Sequence, residues 1–171
     1  MRDTADHPMA HPPAVDVDPS ELIVRTDLRY DPDQVLQLAL LTADGTDLRT
    51  KPSAVVVSSE PPDGGPSVLV EAFRGTYVEE ILSSLPFRHG LVRLLSIPPQ
   101  KCYPIHVDGT IRYHLAVDTH PFTYILYPSL RKMYHIPRDG FLYRMDATRP
   151  HTAVNCGPLP RTHLVIVLNE Q

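Results

Sequence analysis

The sequence has no tryptophan and only two cysteines, Cys102 and Cys156. Two thiols cannot staple a small secreted scaffold, so a packed core must hold the fold and a cytoplasmic setting is expected. No apolar run approaches the length of about eighteen residues that a membrane span requires. The first twenty residues also lack the apolar centre of a secretory signal. Sixteen Lys and Arg stand against twenty Asp and Glu, a net charge of −4. That balance argues against nucleic acid as a partner, because such binding needs concentrated positive charge. What remains is a chain of 171 residues, enough for one ordinary domain, with 42% hydrophobic residues for a core and nineteen prolines for turns.

Residues 1–20 read as a disordered Pro-rich tail. Pro8, Pro12, Pro13 and Pro19, four aspartates, His7 and His11 offer almost nothing to bury. Residues 21–171 form the expected single domain, with helical and strand support over 21–90 and a metal-bearing core over 91–171. Residues 21–26 suggest a strand. Asp31-Pro32 then sets an N-cap and a first-turn proline before Val35, Leu36, Leu38, Ala39 and Leu40. Strands are expected at 54–58 and 67–73, divided by the turn-forming Pro61-Pro62-Asp63-Gly64-Gly65-Pro66. Thr76 and Glu79 have capping-box spacing ahead of the stripe Tyr77, Ile81, Leu82 and Leu85, which predicts a helix ending before Pro86.

From Leu91 the texture changes to short runs of Val, Ile, Leu, Tyr and Phe, each closed by Pro, Gly or Asp. Strands are expected near 92–97, 104–108, 111–117, 122–127, 132–136, 141–146 and 161–168. This spacing suggests a β-sandwich or barrel and not a parallel sheet with crossover helices, and the fold is read as mainly β, a double-stranded β-helix (jelly-roll or cupin-like) with one or two supporting helices.

Strand alternation puts Arg112 and His114 on one face, and Arg161 and His163 on one face of the last strand. His106 and Asp108 project together. Charged groups pointing into a small barrel need mutual partners or a ligand. A His-x-Asp pair alone is weak evidence, since composition gives about 0.7 such pairs by chance. Its setting, Pro104-Ile105-His106-Val107-Asp108-Gly109 at a strand end, adds weight, as do His151 after Pro150 and Arg161 ten residues later. Two imidazoles and a carboxylate can occupy one face of an octahedral Fe(II), leaving positions for a chelating keto acid and O2. A guanidinium such as that of Arg161 suits the keto acid's far carboxylate.

Five blocks over about seventy residues carry a resemblance. They are Ser96-Ile97-Pro98-Pro99; Pro104-Ile105-His106-Val107-Asp108; Arg112-Tyr113-His114-Leu115; Asp139-Gly140 with Asp146; and His151-Thr152-Ala153-Val154-Asn155 followed by Pro160-Arg161-Thr162-His163-Leu164. The segment Ser96 to Leu168 resembles the aspartyl/asparaginyl β-hydroxylase family of Fe(II)/2-oxoglutarate oxygenases, which includes bacterial proline hydroxylases. The resemblance implies iron at His106, Asp108 and His151, which would be the catalytic centre. It also implies the 2-oxoglutarate distal carboxylate at Arg161 with Ser96 as helper, and Arg112 and His114 at the iron-bound end of the cosubstrate. Asp108 stands where the animal peptide hydroxylases of this family have glycine, so the chain is more similar to the bacterial amino-acid-hydroxylase branch.

The expected activity is therefore hydroxylation of a small amino-acid-like substrate or a peptide, using Fe(II), 2-oxoglutarate and O2, with no nucleic-acid or membrane partner. Arg138 or Arg131 is the candidate partner for the substrate's charged group. Two other readings stay open. One is a metal-binding cupin-type isomerase or sensor that dispenses with Arg161, the other a non-catalytic interaction module. Asn155 is expected to shape a turn, Asp146 to bond backbone near His151, Cys102 and Cys156 to act as small buried hydrophobes, and Tyr103, Tyr124, Tyr134 and Tyr143 to be core or rim aromatics.

Overall fold

The computed structural model describes residues 21–40, 47–58 and 67–169. The tail expected over 1–20 and the Pro61–Pro66 turn lie outside the described residues. Among the described residues, ten strands and two α-helices follow in chain order. The first elements are β1 (Ile23–Arg29), α1 (Pro32–Leu40), β2 (Ser53–Val57), α2 (Tyr77–Ser84), β3 (His89–Ile97) and β4 (Lys101–Cys102). Then come β5 (Arg112–Asp118), β6 (Thr123–Tyr127), β7 (Lys132–Tyr134), β8 (Phe141–Met145), β9 (Thr152–Asn155) and β10 (Arg161–Leu168).

Both helices begin as local chemistry dictates. The Asp31 carboxylate accepts from the Asp33 amide at 2.9 Å and Pro32 opens α1, whose Val35 and Ala39 are buried one turn apart. At α2 the expected capping box does not form on the N-cap Thr76. Glu79 reaches back to the Gly75 amide (2.6 Å), while the Thr76 hydroxyl donates to the Phe73 carbonyl instead of capping the helix. Val78, Ile81 and Leu82 form the buried face of α2.

Two antiparallel sheets pack together. The larger has the order β1-β8-β5-β10-β3-β2 and the smaller β4-β9-β6-β7. From β3 to β10 the chain alternates between the sheets so that the order 3-10-5-8 in one corresponds to 4-9-6-7 in the other. This is the winding of a jelly roll, the expected fold class with two supporting helices. The helices cover the outer face of the large sheet, where Val35, Ala39, Val78 and Ile81 join Leu94, Leu115, Leu164 and Ile166 in one cluster. A second cluster, with Ile97, Ala116, Ile125, Tyr127, Met145 and Ala153, fills the space between the sheets. Period-two alternation decides which cluster each residue joins.

Three expected strands change. Residues 67–73 make only one bridge, Val57 to Leu69, before a 3-10 turn at Glu71–Phe73, because the Phe73 amide turns back to Val70. Residues 104–108 make only the bridge His106 to His151: Pro104 has no amide to donate, and the Asp108 amide leaves the ladder for the Ala147 carbonyl (2.9 Å). The strand expected at 132–136 stops at Tyr134. Two short strands, β4 and β9, were not expected; each is defined by its sheet partners and not by its own pattern.

Candidate metal centre and its cavity

His106 and Asp108 lie in the segment after β4, and His151 immediately precedes β9. The backbone bridge between His106 and His151 brings them together across 45 residues of sequence. Each imidazole is fixed by the same local device. Nδ1–H of His106 donates to the Pro104 carbonyl and Nδ1–H of His151 to the Arg149 carbonyl, both at 2.8 Å. A carbonyl can only accept, so the proton sits on Nδ1 and each Nε2 presents a lone pair. Those Nε2 atoms lie 3.7 and 3.5 Å from Oδ2 of Asp108. Burial, the largest influence, holds the His151 imidazole below its ordinary pKa, in the neutral form a ligand requires.

The carboxylate is oriented in turn. Asp108 Oδ1 accepts from the Arg112 guanidinium at 2.5 Å, while Oδ2 is buried without a hydrogen-bond partner. Two imidazole lone pairs and an orphaned carboxylate oxygen, all within 4.8 Å of one another, form a site that could hold a metal ion. Two His and one carboxylate with open positions is a donor set suited to non-haem Fe(II).

The triad opens into a cavity of ≈ 350 Å³ also lined by Arg93, Tyr103, Arg112, His114 and Arg161. Arg161 is 4% exposed and has no carboxylate partner among the described residues. Its guanidinium donates to Nδ1 of His163 at 2.8 Å, and burial pushes its pKa down to about 10. His114 is buried with neither ring nitrogen hydrogen-bonded. Burial first, then Arg161 and Arg112, hold its pKa well below the ordinary value. The Nε of Arg112 also lacks a partner. The desolvated guanidinium of Arg161, without a carboxylate partner among the described residues, and the unpartnered imidazole of His114 are groups that could receive an anion in this cavity.

The structure thus brings His106, Asp108, His151, Arg112, His114 and Arg161 around one space. Ser96 is not among them. It lies on the helix-facing side of β3, where its hydroxyl bonds the Thr162 hydroxyl at 2.7 Å, because it shares strand parity with Leu94 and not with Leu95. Neither candidate partner for a substrate charge reaches the cavity. Arg138 donates to the Val117 carbonyl and pairs with Asp33, and Arg131 is an exposed left-handed residue after a 3-10 turn. His163 acts behind Arg161 as a hydrogen-bond acceptor. Asn155 holds the carbonyls of Ile97, Pro98 and Leu159, and Asp146 accepts from Thr148 in the turn before His151. Sequence reasoning passed over Arg93, although its alternation with Leu95 and Ile97 on one strand was the available signal.

No protein-family profile matches this chain. No curated protein matches it either. Among solved structures, a cupin domain from Bordetella pertussis Tohama I, determined at 1.80 Å, is similar with a TM-score of 0.42 and 15% identity, over 50% of this chain and 88% of that one. None of the described helices is long and apolar enough to cross a membrane.

Proposed function

We propose that this protein is an Fe(II)/2-oxoglutarate-dependent dioxygenase that hydroxylates an amino acid, free, carrier-bound or within a peptide, with release of succinate and CO2. The observation that carries this reading is the buried, carboxylate-free guanidinium of Arg161 lining the same cavity as the His106, Asp108 and His151 triad. When bound, iron together with the keto acid and O2 supplies the oxidising power for an unactivated C–H bond.

The chain's own residues do the rest. His106, Asp108 and His151 hold the metal, and the carbonyls of Pro104 and Arg149 fix the two rings. Arg112 orients Asp108. Arg161 takes the distal carboxylate of 2-oxoglutarate, and His163 keeps the guanidinium aimed. His114, with unfilled ring nitrogens, meets the cosubstrate's metal-side end.

A metal-binding jelly roll without 2-oxoglutarate chemistry would use the triad but leave the buried charge of Arg161 without purpose. An anaerobic titration with Fe(II) and then 2-oxoglutarate separates the two. The dioxygenase reading expects a weak visible absorbance band that needs both additions and is absent in His106→Ala and Arg161→Ala. Iron uptake with no band on adding 2-oxoglutarate rejects it.

A further inference from the structure

Three guanidiniums line the cavity, those of Arg93, Arg112 and Arg161, against one carboxylate, Asp108. Two of them have work assigned. Arg112 is engaged by Asp108, and Arg161, on the reading above, takes the cosubstrate. Arg93 has no carboxylate partner among the described residues.

Its position separates it from Arg161. Arg93 sits in the middle of β3, paired with Val55 on one side and Val165 on the other, whereas Arg161 pairs with Ile97. Four residues of strand divide the two pairs, roughly 13 Å at the backbone. Across the sheet, Val165 also pairs with His114, and Arg112 lies opposite Val167, one step on along the inward-facing side of β10. Arg93 therefore lies across β10 from the inward face of β5, and its charge acts directly on Arg112. A divalent metal and the 2-oxoglutarate dianion cancel one another, so the three guanidiniums still exceed Asp108 by two positive charges. An anionic group entering beside the metal would meet that excess.

We propose that Arg93 is a specificity-determining residue that binds the carboxylate of the primary substrate. The substrate class is then a free amino acid or another small molecule with an unblocked carboxylate, and not an internal peptide residue. This rests on the dioxygenase reading and narrows it.

The test uses the full chain loaded with redox-inert Mn(II), with and without 2-oxoglutarate. Calorimetry then compares the free L-amino acids with their carboxamides. At least one acid should bind, with its amide weaker by about 30-fold, the loss of a charge-assisted pair. Arg93→Gln should weaken the acid by a similar factor, and Arg93→Lys should restore most of it. Mn(II) and 2-oxoglutarate affinity should stay unchanged in both variants. Equal binding of acid and amide, an unaltered Arg93→Gln, or no acid bound at all overturns the proposal. Failure of 2-oxoglutarate to bind the Mn(II)-loaded wild type is a separate titration and overturns the dioxygenase reading instead.

Discussion

His106 and His151 face each other across one antiparallel bridge, each backbone N–H donating to the other's carbonyl at 3.0 and 2.9 Å, with their ring centroids 4.5 Å apart. The bridge ties the segment after β4 to the start of β9, so the small sheet sets the ligand spacing before any ion arrives. Asp108, two residues beyond His106, completes the set from the same segment.

Metal should therefore stabilise the fold. At about one hundred times its dissociation constant, Mn(II) or Fe(II) adds about 2.7 kcal/mol, a Tm rise on the order of 5–10 °C for a chain of this size. The rise should vanish in His106→Ala and Asp108→Ala, as read by thermal unfolding with and without metal. His106 is exposed and His151 buried, so His151→Ala, unlike His106→Ala, should also lower the metal-free Tm.

Arg161→Gln separates function from folding. The amide can still donate to His163, while the buried charge disappears. Stability should stay within about 1 kcal/mol of wild type or rise, because an uncompensated buried cation is costly. Affinity for 2-oxoglutarate should fall by at least about 30-fold. Unchanged 2-oxoglutarate affinity in calorimetry would remove Arg161 from the site.

Acid should destabilise the metal-free protein earlier than carboxylates alone would. Burial, followed by Arg161, holds His114 and His163 well below the ordinary value of 6.5, so both are neutral when folded. The unfolded chain takes up these protons as pH falls through 6.5. Stability is thus fully present above 6.5 and declines below it, by up to about 1.4 kcal/mol per pH unit for each group. Urea unfolding at pH 7, 6 and 5 measures the slope, and His163→Gln should reduce it by about one proton's worth. The lowered carboxyl of Asp47 acts only below its ordinary value of 3.8, outside this window.

Asn155→Ala should destabilise without touching the cavity. Its amide donates to the carbonyls of Ile97, Pro98 and Leu159, and its oxygen accepts from Gly157. Buried carbonyls left unpaired cost about 1–3 kcal/mol each at most, so a loss on the order of 2–4 kcal/mol is expected. Metal affinity, measured by titration, should stay the same.

Much of the site was legible because its signals are local. Alternation alone places Arg112 with His114 and Arg161 with His163, and the His-x-Asp turn, His151 and Arg161 stand out in chain order. Asp31-Pro32 started α1 as its side-chain chemistry requires. The segment at 104–108 was less legible, since an extended run and a single bridge differ only in where the partner backbone lies. Thr152–Asn155 likewise becomes a strand only between β4 and β6.

The residues of β3 mark the boundary most sharply. Sequence by itself determined that Val92, Leu94 and Ser96 share one face of that strand and Arg93, Leu95 and Ile97 the other, because the pleat has a period of two. It did not determine which face looks inward. That was decided when α1 and α2 covered the first face and the small sheet covered the second. Ser96 was thereby paired with Thr162 outside the cavity and Arg93 was left inside it. A strand buried on both faces has two apolar sides, and only the layers packed against it distinguish them.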